Sequence, residues 1–185
     1  MKKYIFLLSC ILASVVFCEN TKENANIEKH IDNLPTSFHE IGLGMSLDEV
    51  KERLKMDESF AYRGDRDVSL LQSKNRSVIE SEGVYFIKRG SFQFYNEKLY
   101  TIIVQMNPEN IDYYSIYSTL IEKYGEPGLV DQKKAVWENE SIRLVLERPL
   151  SIKYIDATTF NEIVASRNKK TAVSDETRAN FVNAF

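Results

Sequence analysis

Residues 83–108 read GVYFIKRGSFQFYNEKLYTIIVQMNP, and this stretch decides the fold. Three runs rich in aromatic and β-branched residues, Val84 to Ile87, Ser91 to Tyr95 and Lys98 to Met106, are separated by Arg89-Gly90 and Asn96-Glu97. Such side chains pack well on a pleated surface, and two-residue connections suit antiparallel hairpins. The spacing predicts an antiparallel meander that Pro108 closes.

Upstream, Ser46-Leu47-Asp48-Glu49 is a capping box. The Ser46 hydroxyl can satisfy the amide of Glu49, whose carboxylate can reach back to the amide of Ser46. Met45 and Val50 stand at hydrophobic-staple positions. Leu47, Val50 and Leu54 then make one apolar stripe, which predicts a helix over about 46–55. Gly42 and Gly44 read as a sharp turn into that helix. From Asp57 to Ser81 the periodicity is poor. Arg63 to Asp67 reads as a charged turn and Val68 to Leu71 as a short strand, while Asn75 to Glu82 is too polar to assign.

Downstream, Ile116, Leu120, Ile121 and Tyr124 recur at helical spacing. Gly125 stands at the C-cap position and Pro127 forbids continuation, so a helix is expected over about 111–124. Strands are expected at Ala135 to Glu138, Ser141 to Glu147 and Ser151 to Ile155. Thr158 or Thr159 would cap a last helix reaching Ala165. The fold class is therefore α+β, an antiparallel sheet or sheets packed on one face by helices. A single domain is expected over 39–166, with 41–107 and 108–166 as two loosely repeated helix-plus-meander units. Residues 167–185 read as a polar, mobile tail.

The chain of 185 residues begins with Lys2-Lys3, an apolar run from Tyr4 to Phe17, and the polar stretch Glu19 to Asn24. A basic start, a short apolar core and a polar flank make a signal peptide over 1–18. The run is shorter than the roughly 20 residues that span a bilayer. Two endings fit. Cys18 lies where a lipoprotein carries its lipidated cysteine, although Phe17 departs from the small residue usual before it; ordinary cleavage near Cys18 gives a soluble periplasmic protein instead. Either way the expected location is the periplasm or a periplasmic or outer-envelope membrane face, with 19–38 as a polar tether. The two cysteines, Cys10 and Cys18, both belong to the signal, so the fold is expected to rest on its hydrophobic core. Loss of Lys2 and Lys3 takes 24 basic against 27 acidic residues to 22 against 27, a net charge of −5. That argues against a protein built to grip nucleic acid.

Chemistry is hard to find. His30 and His39 both precede the predicted folded region, and Asp65, Asp67 and Asn75 match no calcium loop. Neither a nucleophile elbow nor a phosphate loop occurs. Glu80 with Glu82, and Glu138 with Glu140, could be drawn as paired carboxylates on glycans, but their spacing gives no support. No catalytic residue, metal or cofactor is expected. The enrichment is aromatic, with ten tyrosines. Tyr113 and Tyr114 are hard to bury together on one helix. Phe92, Phe94 and Tyr95 occupy both faces of one strand. Exposed rings favour protein contacts, which makes Tyr113, Tyr114, Phe92 and Tyr95 the candidate interaction residues. A groove lined by Phe92, Phe94, Ile103 and Leu144 would instead receive a small apolar ligand or lipid.

The run Gly42-Leu43-Gly44-Met45-Ser46-Leu47-Asp48-Glu49-Val50, with Leu54 beyond, resembles the opening motif of the BamE/SmpA-like small envelope lipoproteins. Leu120 to Pro127, with its Tyr-Gly and proline, looks like a second motif of related periplasmic domains. The resemblance covers about twenty residues, and the segment 57–81 lacks the family's second helix. It implies a noncatalytic accessory role beside membrane-protein machinery, including outer-membrane assembly. The expectation from sequence is thus a noncatalytic envelope protein that acts through contacts with an envelope protein partner.

Overall fold

The computed structural model describes residues 33–70 and 75–182. The signal segment, Cys10, Cys18, His30 and most of the expected tether lie outside the described residues. A hairpin of β1 (Ser37–Phe38) and β2 (Ile41–Gly42) leads into α1 (Leu47–Met56). A single 3-10 turn at Gly64–Asp67 precedes β3 (Val68–Leu70), β4 (Arg76–Glu82), β5 (Ile87–Tyr95) and β6 (Lys98–Met106). Then come α2 (Tyr113–Tyr124), β7 (Leu129–Val130), β8 (Lys134–Glu138), β9 (Ile142–Glu147), β10 (Ser151–Asp156) and α3 (Ala157–Val182).

Eight strands form one antiparallel sheet in the order β3-β4-β5-β6-β10-β9-β8-β7. Each half is a helix followed by a four-stranded meander. The halves join through their last strands, β6 and β10, which pair antiparallel with Ile103 opposite Lys153. Read outward from that seam, the strands run 6-5-4-3 one way and 10-9-8-7 the other, as two copies related by a local twofold would place them.

The helix starts follow their sequence signals. Ser46 caps α1 with both arms of the capping box formed, and the Asp112 carboxylate accepts from the Ser115 amide to cap α2. At the end of α2, Gly125 adopts φ 76°, and its carbonyl accepts from the Trp137 indole N–H at 2.8 Å. Asn96 and Glu97 both have positive φ, the geometry of a two-residue hairpin turn that matches strand twist.

Residues directly opposite in an antiparallel pair share a face. One face of the sheet carries Ile79, Phe92, Phe94, Ile102, Val104, Leu144, Leu146 and Trp137. With Val50 and Leu54 of α1 and Leu120 of α2, these make a single core. The other face is polar across β4 and β5. Across β6, β10, β9 and β8 it becomes apolar, with Ile103, Ile155, Val145 and Val136, where Phe160 from the start of α3 lies against it.

Several sequence expectations are corrected. Arg89-Gly90 is no turn: both residues pair inside β5, and Gly90 is buried. Val84 to Phe86 is not a strand but the β4–β5 connection. The unassigned stretch before it is β4, whose core-facing residues include Ser77 and Ser81 alongside Ile79, so hydropathy hides the alternation. Asp156, rather than Thr158 or Thr159, caps α3 by accepting from the Thr159 amide at 3.1 Å. The helix runs on through Val182, well past Ala165. His39 stands in the β1–β2 turn, inside the folded region rather than ahead of it.

Candidate docking cleft

Where the β4–β5 connection meets the β1–β2 turn and the approach to α2, the helical cover of the core face is incomplete. A cleft of about 380 Å³ opens there. Its floor is Ile87, Val104 and Met106, continuous with the core, and its walls are Phe38, Phe86 and Ile111. His39, Glu58, Ser59 and Tyr85 complete the lining.

The connection is unusual in three respects. Val84, Tyr85 and Phe86 are consecutive, large and apolar, yet 45, 76 and 50% exposed. Tyr85 has φ 60°, a left-handed conformation that costs a side-chain-bearing residue on the order of 1–3 kcal/mol unless its surroundings impose it. Those surroundings are explicit. The Val84 amide donates to the Ser59 carbonyl at 2.9 Å, and the Ile87 amide to Val84 at 3.1 Å. The Tyr85 carbonyl accepts from the Asn110 side-chain amide, and the Phe86 carbonyl from the Asn107 backbone amide, both at 2.8 Å. Gly83 is required beneath them, since a β-carbon there would fall 2.4 Å from the Ile87 carbonyl oxygen. The Tyr85 and Phe86 rings meet edge to face at 5.2 Å. The connection is thus a fixed aromatic ridge beside an apolar cleft. Elsewhere Met56 and Tyr114 are single exposed side chains, which soluble surfaces commonly carry, and Leu129 with Val130 make up the two-residue edge strand β7.

At the opposite lip, the His39 ring stacks on Phe38 at 4.1 Å and its Nδ1 lies 2.9 Å from the Asp57 carboxylate. Burial pushes the Asp57 carboxyl upward, but hydrogen bonds from His39 and Ser59 outweigh it and leave the group below its ordinary value. The lip is held from both sides of the same short segment, since Asp57 also accepts from the Ser59 amide.

Two other concavities have structural explanations. A trough of about 430 Å³ lies on the opposite sheet face, but its flanking charges pair with one another, Lys153 with Glu147 and Arg143 with Glu138. Phe160 seats there under the Arg143 guanidinium. The Arg63–Asp67 turn encloses the Asp67 carboxylate, which accepts from the Arg63 amide and its Nε. Among the described residues no three His, Cys, Asp or Glu side chains converge in a metal-binding arrangement. No helix of the described residues is long and apolar enough to cross a membrane.

The four aromatic residues singled out from sequence do not form a common surface. Phe92 is fully buried in the core and offers nothing to a partner. Tyr95 is half-buried on the opposite sheet face beside Arg76. Tyr113 is half-buried under the Arg148 guanidinium, 4.1 Å above its ring. Tyr114 is 74% exposed on α2. The proposed groove of Phe92, Phe94, Ile103 and Leu144 does not exist either: three of these are core residues, while Ile103 faces the other way. The ridge was missed because an uninterrupted apolar run reads as a buried strand. The signal available was Gly83 before it.

Residues 36–166, from the first hairpin into α3, match the family model described as TP0088 domain. No curated protein and no solved structure matches the chain.

Proposed function

We propose that this chain, which belongs to the TP0088 domain family, is a noncatalytic docking module of the bacterial cell envelope that holds a partner protein on the Val84–Phe86 ridge and the cleft behind it. The observation that carries the reading is the ridge itself: three exposed apolar residues in a row, one of them held in a left-handed conformation by surrounding hydrogen bonds. Aromatic anchors on a preorganised surface are the side chains that dominate protein interfaces, because little ordering remains to be done on binding. Placement in the envelope rests on the signal segment 1–18. Lipidation of Cys18 would hold the domain at a membrane face, and the resemblance to BamE/SmpA-like lipoproteins points to an accessory role there.

A second reading has the cleft take a small apolar ligand, favoured by its apolar floor and a volume within the range of such sites. Capture from intact cells through a tag at Phe185, comparing the natural chain with Phe86→Asp, separates the two. Docking predicts that one envelope protein is retained by the natural chain and lost from the variant. A small-molecule site predicts no such protein and a ligand that leaves with denaturation.

A further inference from the structure

We infer that His39 is the residue by which this cleft selects its occupant: the Nε2 of its neutral imidazole accepts a hydrogen bond from an apolar partner side chain that carries one donor. The inference rests on the cleft being a docking site. His39 belongs to the cleft lining, whereas Asp57, which holds its ring, does not. The imidazole is oriented from two sides. One face stacks on the Phe38 ring at 4.1 Å, and Nδ1 lies 2.9 Å from an Asp57 carboxylate oxygen. The backbone carries strain there too, with φ 50°, so left-handed residues stand on both lips, His39 on one and Tyr85 on the other. Such conformations cluster at ligand sites and persist only where the surrounding structure imposes them.

The tautomer follows from the partner of Nδ1. Burial raises the Asp57 carboxyl, but hydrogen bonds from His39 and Ser59 outweigh it and keep the group ionised. An ionised carboxylate only accepts, so the proton of the neutral imidazole sits on Nδ1 and the lone pair is left on Nε2. Nε2 has no hydrogen-bond partner among the described residues, and the ring edge that bears it is the one turned from Asp57. Glu58 and Tyr85, also in the lining, are exposed and make no side-chain hydrogen bond among the described residues, so their polar ends are not held as the imidazole is. The floor is apolar and continuous with the core. An oriented acceptor beside such a floor selects a group that is apolar and has one donor. Tryptophan and tyrosine are the side chains that combine the two.

The test uses the purified protein and begins with its imidazole nitrogen chemical shifts at about pH 9, where histidine is neutral. The expected proton position in His39 is Nδ1, and a proton on Nε2 would overturn the inference. Indole and 1-methylindole, which differ in the N–H, are then titrated while the amide shifts of residues 84–87 are followed. Relative to His39→Phe, the natural chain should prefer indole over 1-methylindole by roughly threefold or more, the worth of one hydrogen bond between neutral groups. Phenylalanine can keep the stack on Phe38 but has no acceptor. A second variant, His39→Asn, suits the left-handed backbone, places no acceptor at the same point, and should lose the preference likewise. The same ratio in the natural chain and both variants would overturn the inference while leaving the docking reading intact. If neither compound moves the amides of 84–87, the cleft takes no aromatic group, and the docking reading fails with the inference.

Discussion

The edge of the Phe60 ring occupies the space above Gly90, where an added β-carbon would come within 2.5 Å of a ring carbon. Phe60 also meets Phe92 edge to face at 5.6 Å. It is the anchor that fixes residues 57–61 against the sheet, with the Ala61 amide donating to the Glu82 carbonyl. One end of that segment supplies the lip of the cleft and the carbonyl that holds Val84.

Gly90→Ala is therefore expected to destabilise the protein by about 1–3 kcal/mol, the usual cost of overpacking. Phe60→Leu in the same chain should recover part of that loss. Denaturant midpoints of the two single variants and the double variant check the coupling. Additive losses would mean that the ring and the glycine do not share this space.

Tyr85→Asn separates binding from folding. Asparagine tolerates the left-handed conformation better than tyrosine. Stability should hold or rise by up to about 1 kcal/mol, while partner retention falls. A thermal melt beside a capture assay reads both. A marked loss of stability would mean that the tyrosine ring is structural.

Acid should loosen the cleft lip. The Asp57 carboxyl lies below its ordinary value of 3.8 in the folded protein. The unfolded chain thus binds the proton more readily than the folded one. The contribution is fully present above the ordinary carboxylate value and is lost as pH falls through the lower folded value. Stability measured from pH 6 down to pH 2 should therefore decline less steeply in Asp57→Asn than in the natural chain. Parallel profiles would assign the acid sensitivity elsewhere.

Trp137→Phe removes the donor to the Gly125 carbonyl and leaves a gap in the core. The expected loss is roughly 2–4 kcal/mol, from the lost hydrogen bond and the unfilled volume together. Chemical denaturation gives the value. A loss under about 1 kcal/mol would show that the end of α2 does not depend on this tie.

Much of the fold was legible because its signals are local. Ser46 with Glu49, Gly125 with Pro127, and Asn96-Glu97 each carry their own geometry, and both helices and the hairpin turn formed where those residues stand. What was not legible depends on partners distant in sequence. Gly90 looks like a turn residue until Phe60 is seen to lie over it. Strand β4 hides because serines serve on its inner face. The bulge that places Tyr100 as an extra residue between Leu99 and Thr101, which pair with Phe94 and Gln93, has no sequence mark of its own. The candidate site was lost for a related reason. Val84 to Phe86 has the composition of a core strand, and hydrogen bonds to Ser59, more than twenty residues back, and from Asn107 and Asn110, more than twenty residues on, hold it at the surface.

The most direct test of docking at the ridge is photo-crosslinking in intact cells from single positions. A photoreactive phenylalanine analogue replaces Tyr85 in one strain and Tyr114, exposed on α2, in another. The account predicts one reproducible envelope-protein adduct from position 85 and none from position 114. Adducts from 114 alone, or an equal scatter of neighbours from both, would contradict it.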